Sequence, residues 1–422
     1  MLRSMFSGVS GLRSHQTMMD VVGNNIANVN TAGFKSSGVV FADTLSQLTK
    51  AAGAPTDANG GTNPSQVGLG VRVQAITQNM TQGSAQATGK STDLMLQGDG
   101  MFAVQQGDGV FYTRNGSFTL DANGSIVTND GAYVMGWKPA PDGSVNTNGA
   151  IEKLVIPSDT VMGAVETKGA KVSGNLDKTT PTAQDPDVGI VTSFTAYDEQ
   201  GTATTMYLRF VNATGTDNWT VTASDDAAAA TASWRPVGTF NFDADNAATP
   251  PTAKGEKASV ATLTLPGASS PTGDDVTIDL KGLSGFVGTT KSSSVKTTGD
   301  GAPIGTLTSY SFGTDGVITG SYSNGYKQTL GQVAIASFNN SAGLRKEGNS
   351  LYSVSTNSGN PVYGIAGQAG RGGLLAGSLE MSNVDLSAEF TNLILAQRGF
   401  QANSKVITAS DELLQDLVNL KR

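Results

Sequence analysis

Residues 386–422 read LSAEFTNLILAQRGFQANSKVITASDELLQDLVNLKR, and this stretch carries a seven-residue repeat. One series of the repeat is Leu393, Phe400, Ile407 and Leu414, and the companion series is Phe390, Gln397, Ser404, Asp411 and Val418. A mainly apolar repeat of seven is typical of a helix that buries one side against another helix. The pattern therefore predicts a helix from Leu386 to Arg422, which begins at a Ser-x-x-Asp cap formed by Ser382 and Asp385.

The other end of the chain carries the same kind of repeat. Its two series are Leu2, Val9, Gln16 and Gly23, and Met5, Leu12, Met19 and Ile26. Glycines at positions 8, 11 and 23 weaken this helix by about 1 kcal/mol each relative to Ala. The Asn-rich run NNIANVNTAGFK at residues 24–35 is predicted to end the helix at residue 24 and to lead into extended chain.

Both predicted helices need a partner, and two arrangements are open. The helices could pair within one molecule, or they could pack with other copies in a polymer. The polymer is favoured by polar residues in the repeat, namely Gln16, Gln397, Ser404 and Asp411, and by small residues that permit close approach, namely Ser4, Ser7, Gly8 and Gly11. On this hypothesis Ile407 is exposed on a disordered tail in the monomer and is buried only on assembly.

Between the two ends the sequence has the pattern of short strands joined by tight turns. Asp-Gly occurs six times and Asn-Gly five times, and both dipeptides tolerate the positive φ of two-residue hairpin turns. Residues 94–96 are predicted as a strand and residues 111–120, FYTRNGSFTL, as a hairpin. Strands at 125–127 and 132–135 continue it, so an antiparallel meander is expected.

The acidic charge is concentrated in one block. Residues 157–302 hold 17 Asp and Glu against 10 Lys and Arg, a net charge of −7, whereas the whole chain has a net charge of −8. Pro157 and Pro303 bound this block, and alternating runs at 193–197 and 206–211 predict strands inside it. The block is therefore predicted to be an inserted β-domain.

These patterns predict a fold that is mainly β with α-helical termini. The predicted parts are coiled-coil-type terminal helices at 1–30 and 383–422, extended linkers at 31–75 and 363–382, a discontinuous β-domain at 76–156 and 303–362, and the inserted outer β-domain at 157–302.

Composition argues against several classes of function. The acidic balance argues against a nucleic-acid groove or an anionic membrane surface as partner. The absence of Cys and the single His, His15, exclude thiol chemistry and a zinc site made of two or more such ligands. His15 is predicted to lie on a helix surface. No catalytic residue, cofactor or metal ion is predicted, although paired carboxylates could still support glycoside hydrolysis.

Two short motifs are rejected on their spacing. Residues 84–91 are similar to a phosphate-binding loop, but Ser84 replaces its first Gly and a predicted strand follows where a helix should begin. The run from Asp243 is similar to a calcium loop, but Ala248 and Lys254 replace the required Gly and Glu. Neither motif predicts a ligand site.

Residues 24–35 resemble the Asn-rich signature of the axial rod and hook proteins of the bacterial flagellum. Residues 382–386, SNVDL, and 396–403, AQRGFQAN, resemble the other end of that family, and residues 81–83, 96–102 and 113–116 resemble its shared β-domain. By this resemblance the family signature comprises Asn28, Asn30, Thr31, Gly33, Phe34, Lys35, Asn383, Val384, Asp385, Gln397 and Arg398.

The resemblance implies a structural subunit and not an enzyme. The large insert at residues 157–302 of this chain points to the hook members of the family, which polymerise into the curved tube between rod and filament. The implied partners are other copies of the chain, the distal rod, the hook cap, the hook-filament junction protein and the type III export apparatus, which would export the chain to the hook without a cleaved leader. The self-assembly seam would comprise Leu2, Met5, Val9, Leu12, Met19, Ile26, Phe390, Leu393, Phe400, Ile407, Leu414 and Val418. A distal rod protein, or a secreted β-rich adhesin or glycosidase, is the alternative.

Overall fold

In a computed structural model, the residues of the chain group into two units. The structure describes residues 2–55, 60–140, 143–157, 161–177, 189–212, 218–226, 233–242, 258, 262–266, 274–285 and 293–419, and the run from Asp243 to Lys254 lies outside them. Unit 1 comprises Met1–Pro157, Tyr310–Thr319 and Thr329–Arg422, and unit 2 comprises Ser158–Ser309 and Gly320–Gln328.

Two long helices belong to unit 1: α1 spans Leu2–Ala27 and α2 spans Leu386–Asn419. The prediction that α1 ends at residue 24 is wrong. The side chain of Asn25 donates to the backbone oxygen of Ser37 at 2.8 Å and accepts from its backbone N–H at 3.0 Å, so it does not compete with the helix for backbone groups. Within the described residues, neither helix has an apolar segment long enough to cross a membrane.

The start of α2 differs in detail from the predicted cap. Asp385 Oδ1 accepts hydrogen bonds from the backbone N–H groups of Ser387 at 2.8 Å and Ala388 at 3.2 Å, so Asp385 is the N-cap residue. Ser382 takes no part in this cap, because its hydroxyl accepts from the N–H of Val384, ahead of the helix. The predicted Ser-x-x-Asp arrangement is therefore wrong at Ser382.

Short strands make up most of the rest of the chain. Those before unit 2 are β1 Ser37–Asp43, β2 Ser46–Lys50, β3 Ser65–Gly68, β4 Val71–Gln78, β5 Ala85–Ala87, β6 Leu94–Gln97, β7 Met101–Gln106, β8 Gly109–Thr113, β9 Phe118–Leu120, β10 Ile126–Thr128, β11 Tyr133–Trp137 and β12 Glu152–Lys153. Those of unit 2 are β13 Val161–Met162, β14 Gly169–Asn175, β15 Ile190–Tyr197, β16 Ala203–Asn212, β17 Asn218–Ser224, β18 Arg235–Asn241, β19 Thr262–Leu265, β20 Val276–Ser284 and β21 Ser294–Gly299. Strands β22 Gly305–Phe312, β23 Val317–Tyr322 and β24 Lys327–Val333 have residues in both units, and β25 Ile335–Ser337, β26 Arg345–Gly348, β27 Leu351–Ser353, β28 Val362–Gly364, β29 Gly373–Ala376 and β30 Ser378–Glu380 follow.

The sheet of unit 1 is built from distant parts of the chain. Strand β7 pairs antiparallel with β8, β11 and β25, and β8 also pairs with β27. Side chains from neighbouring strands, such as Met101 of β7, Tyr112 of β8 and Tyr352 of β27, form a buried cluster on one side of this sheet. The predicted linkers contain strands as well, since β1 pairs with β4, β2 with β3, and β30 with β5.

The predicted hairpin over residues 111–120 is wrong. Strands β8 and β9 each pair with other strands, β8 with β7 and β27, and β9 with β10. The Asn115-Gly116 dipeptide between them does not form a hairpin turn, because Gly116 lies against the backbone of Leu94, whose N–H donates to the Gly116 oxygen at 3.0 Å. A Cβ on Gly116 would lie 1.6 Å from the Leu94 oxygen, so this Gly serves close approach. The predicted strands at 94–96, 125–127 and 132–135 are confirmed, with bounds that differ by at most two residues.

Unit 2 contains two four-stranded sheets. Their strand orders are β15-β16-β17-β18 and β19-β20-β14-β21, with β14 and β20 parallel. The strands predicted at 193–197 and 206–211 are confirmed as parts of β15 and β16. Buried side chains from both sheets, including Phe210 and Trp219 from one and Val172 and Ile278 from the other, form a single core. Unit 2 therefore has its own hydrophobic core.

Candidate assembly site

The terminal helices α1 and α2 pack against each other within the chain. The contacts run antiparallel: Ser4 faces Ser410 with their hydroxyl oxygens 3.3 Å apart, and Asn25 at the other end donates to Glu389 Oε1 at 2.9 Å. The intramolecular arrangement of the two helices is therefore the one present in the structure.

Glycines allow the two helix backbones to approach closely. A Cβ on Gly8 would lie 3.1 Å from Ile407 Cγ1, one on Gly11 would lie 2.7 Å from the Asn403 amide, and one on Gly399 would lie 2.5 Å from the His15 ring. The predicted role of small residues in close approach is thus seen between the helices of one chain. The prediction that His15 lies on a helix surface is wrong, because its half-buried ring fills the space above Gly399 and its centroid is 5.9 Å from that of Phe41.

The contact stripe differs from the predicted seam. On α1 the buried residues are Gly8, Gly11, Ser14, Val22 and Asn25. Predicted seam residues that are half-buried are Met5, Leu12, Met19, Ile26, Leu393, Ile407 and Leu414, whereas Val9, Phe390 and Phe400 are exposed. The side chains of Leu2 and Val418 lie outside the described part of the chain.

The expectation that Ile407 is exposed in the monomer does not hold in this structure, since Ile407 packs over Gly8. The mismatch between the predicted seam and the contact stripe has a physical cause. A straight α-helix of 3.6 residues per turn drifts relative to a seven-residue repeat, so one seven-residue series cannot follow the contact line along the whole helix. The smallest side chains, and not the largest apolar ones, determine where the backbones meet.

Both helices carry exposed apolar side chains, interspersed with exposed polar ones such as Arg398 and Glu412. On α2 the exposed fractions are 50% for Phe390, 57% for Ile394, 60% for Leu395 and 56% for Leu413, and on α1 Phe6 is 71% exposed. Large exposed apolar side chains such as these are typical of a surface that binds another protein.

A buried ion cluster lies where the chain leaves α1 and enters α2. Lys35 Nζ is 2.6 Å from Glu380 Oε1 and donates to the Thr81 oxygen at 2.7 Å. Arg114 Nη1 is 3.3 Å from Glu380 Oε2, and its Nη2 donates to the Gly98 oxygen at 2.7 Å. All three charged side chains are buried. The cluster joins the segment after α1, the strand before α2 and the β-sheet of unit 1.

Neighbouring signature residues complete this junction. Gly33 has a φ of +70°, and its N–H donates to the backbone oxygen of Glu380 at 2.7 Å. A Cβ on Gly33 would lie 2.6 Å from the backbone nitrogen of Asn115. Asn383 accepts from the Ser36 N–H at 2.8 Å and donates to the Asn79 oxygen at 2.8 Å. The two ends of the chain are therefore held together by side-chain and backbone hydrogen bonds.

Burial dominates the electrostatics of the junction. Desolvation lowers the pKa of Lys35, and the hydrogen bond and charge of Glu380 oppose this shift. Burial also lowers the pKa of Arg114, with Glu380 again opposing it, and raises the pKa of the Tyr352 hydroxyl to about 12. Lys346 lies above the Phe34 ring, 4.8 Å from its centroid, and burial lowers its pKa.

The structure brings together only part of the predicted signature. Asn28 and Thr31 bond to each other at 3.1 Å beside the junction, and Asp385 caps α2. Asn30 is exposed and Val384 is half-buried. Gln397 and Arg398 lie far along the helix, exposed on α2, where Arg398 donates to Gln401 at 3.3 Å.

Sequence reasoning missed Glu380, the centre of the ion cluster, and the linking role of Asn25. A weak signal for Glu380 was present, since it is the one charged residue between Arg371 and Asp385. Nothing local identified its partners, because Lys35 and Arg114 lie hundreds of residues away.

Comparison with known proteins identifies the class to which this fold and junction belong. Four family models match the chain: "Flagella basal body rod protein" at residues 5–35, "Flagellar hook protein FlgE/F/G D1 domain" at 95–173, "Flagellar basal body protein FlaE D2 domain" at 171–326 and "Flagellar basal body rod FlgEFG protein C-terminal" at 375–420. The matches to the two termini include most of α1 and all of α2. These models define a flagellar rod or hook subunit.

Full-length relatives distinguish the hook from the rod. The chain is 41% identical over 448 residues to the flagellar hook protein FlgE of Borreliella burgdorferi and 38% identical over 463 residues to that of Treponema pallidum, with all of each chain covered. It is 32% identical over 423 residues to the flagellar basal-body rod protein FlgG of Bacillus subtilis, also covering both chains fully. The chain therefore belongs to the flagellar hook protein family. The predicted family, a structural one located in the hook, is confirmed, and the rod, adhesin and glycosidase alternatives are not favoured.

Proposed function

We propose that the paired helices α1 and α2 are the polymerisation element of a hook subunit and form the inner wall of its tube. The observation that carries the proposal is the set of exposed apolar side chains on α2: Phe390, Ile394 and Leu395 near its start and Leu413 near its end. Because the inward side of α2 already contacts α1, these side chains are available to neighbouring subunits. Repeated contact between unlike surfaces of identical subunits produces an open helical polymer.

The buried ion cluster would give this element its fixed position. Lys35, Glu380 and Arg114 tie both helix ends to the unit 1 sheet, so bending forces on the sheet would reach the helix pair through hydrogen bonds and ion pairs. The predicted division into terminal helices, discontinuous β-domain and inserted β-domain is part of this proposal, and so are the seam residues exposed on α2.

The acidic inserted block would form the outer layer of the tube. When a curved tube rotates, each row of subunits shortens and lengthens once per turn, so neighbouring outer domains must slide. A net charge of −7 on residues 157–302 keeps such surfaces hydrated and mutually repelling. The subunit would thus act as part of a universal joint and not as an enzyme.

The remaining partners are proposed from the resemblance to the family. They are the distal rod at one end of the tube, the hook cap and the hook-filament junction protein at the other, and the type III export apparatus during secretion. Neither nucleic acid nor a membrane is proposed as a partner.

A single substitution tests the polymerisation element. Ile394→Asp places a carboxylate among the exposed apolar side chains at the start of α2, and should abolish polymerisation of the purified chain, measured by sedimentation and electron microscopy. Because Ile394 is exposed, the monomer should melt within about 1 °C of the parent. Val191→Asp, at an exposed position of β15, is the matched control and should polymerise. Normal polymers from Ile394→Asp would refute the proposal.

A further inference from the structure

We propose that a groove between α1 and β4 is the docking site for the acidic end of α2 from a second copy of the chain. This inference rests on the proposed polymerisation and assigns one of its contacts. The groove has a volume of about 360 Å³ and is lined by Phe6, Val9, Arg13, Thr17, Arg72 and Val73, among others.

The groove combines apolar surface with two uncommitted positive charges. Phe6 and Val9 are exposed along the outward side of α1. Arg13 and Arg72 are exposed, and neither takes part in an ion pair among the residues that the structure describes. Such a groove fits a helical segment that presents an apolar side chain between acidic ones.

The last turns of α2 present this pattern. Glu412 and Asp416 are exposed, one helical turn apart, and Leu413 beside them is 56% exposed. Neither carboxylate belongs to a described ion pair, whereas Asp411 accepts a hydrogen bond from Gln415 at 3.0 Å. Side chains four apart lie about 6 Å from each other, a spacing that two separate Arg side chains can match.

The acidic end must come from another copy. Ser410 faces Ser4 and Ile407 packs over Gly8, so this side of α2 is directed at α1 of its own chain. A residue two positions along a helix is rotated by about 200°, so Glu412 points away from α1. The groove lies on the outward side of α1, which this chain's own Glu412 therefore does not face. Because the groove and the acidic end are unlike surfaces, their contact can repeat along a polymer.

Charge reversal tests the assignment. One variant carries Arg13→Glu with Arg72→Glu, and a second carries Glu412→Arg with Asp416→Arg. Each variant alone should raise the critical concentration for polymerisation by at least about tenfold, because like charges then meet at every contact. An equimolar mixture of the two should polymerise near the parent's critical concentration, since each groove now meets a complementary helix. A single chain that carries all four substitutions should also polymerise near the parent's critical concentration.

Controls separate this inference from the proposed function. Lys90→Glu with Lys327→Glu makes the same change in net charge at exposed positions outside the groove and outside residues 157–302, and should leave polymerisation unchanged. Melting of each variant confirms folding; if a reversal unfolds the chain, Arg13→Gln with Arg72→Gln replaces it, with a smaller rise expected. Variants that polymerise like the parent, or a mixture that does not recover, would overturn the docking site while leaving the polymer function standing. A parent chain that never polymerises would instead count against the proposed function.

Discussion

Replacing Glu380 by Gln is predicted to destabilise unit 1 severely. Its carboxylate lies 2.6 Å from Lys35 Nζ and 3.3 Å from Arg114 Nη1, with its side chain 0% exposed. The amide keeps the size of the side chain but leaves two buried cations without a counter-charge. Loss of one partner from a buried ion pair costs about 3–5 kcal/mol, and burial here excludes the screening that weakens surface pairs. The melting temperature should fall by on the order of 10 °C.

The assay is thermal unfolding of the full chain, followed by circular dichroism at several pH values. Glu347→Gln is the matched control, because Glu347 pairs with Arg345 near the surface, where solvent screens the pair, and its loss should cost far less stability. In Glu380→Gln the pKa of Lys35, already lowered by burial, falls further because the opposing effect of Glu380 is lost. A lysine with a lowered folded pKa gains stability as pH rises from that pKa toward 10.5. The difference in stability between the parent and Glu380→Gln should therefore become smaller as pH rises.

Two results would refute this reasoning. One is a loss of stability no larger than that of Glu347→Gln, which would mean that the cluster adds nothing beyond a surface pair. The other is a deficit that widens between pH 8 and 10, because that would require Lys35 to be stabilised in its charged form. Lys35→Met combined with Glu380→Gln should recover part of the loss, since one buried cation is then removed.

Three further substitutions test separate features of unit 1. Gly33→Ala should lower the melting temperature more than Gly131→Ala, because both glycines have positive φ but only Gly33 has backbone within 3 Å of the new Cβ; equal losses would contradict this. Ile407→Asp should lower the melting temperature of the monomer, unlike Ile394→Asp, and unchanged melting would mean that the helices are not paired in solution. A tyrosine whose folded pKa is about 12 stabilises the fold at pH 10 and loses this effect as pH rises to 12. Tyr352→Phe should therefore lose less stability than the parent between pH 10 and 12, and an equal loss in both proteins would contradict this prediction.

The sequence was sufficient for the elements that local patterns encode. The repeats at both ends predicted α1 and α2, and the alternating runs of the acidic block predicted β15 and β16. The Asn115-Gly116 dipeptide failed as a hairpin signal because its tertiary surroundings overrode it. The Gly116 backbone is held against Leu94, a contact that no local pattern can reveal.

The candidate site was predicted only in part for a related reason. Residues 24–35 and 382–386 were identified through resemblance, but the partner that unites them, Glu380, is a single carboxylate at the end of the short strand β30. Its importance depends on Lys35 and Arg114 meeting it across the fold. Likewise, heptad positions indicated that the helices have partners but could not tell the side that faces α1 from the side left for neighbours.

Electron microscopy of flagellar basal bodies from cells that lack this chain tests the central claim most directly. If the chain is the hook subunit, the basal bodies should carry complete rods and no hooks, and expression of the parent chain, but not of Ile394→Asp, should restore hooks of normal appearance. Incomplete rods in the deleted strain, or intact hooks, would contradict the account.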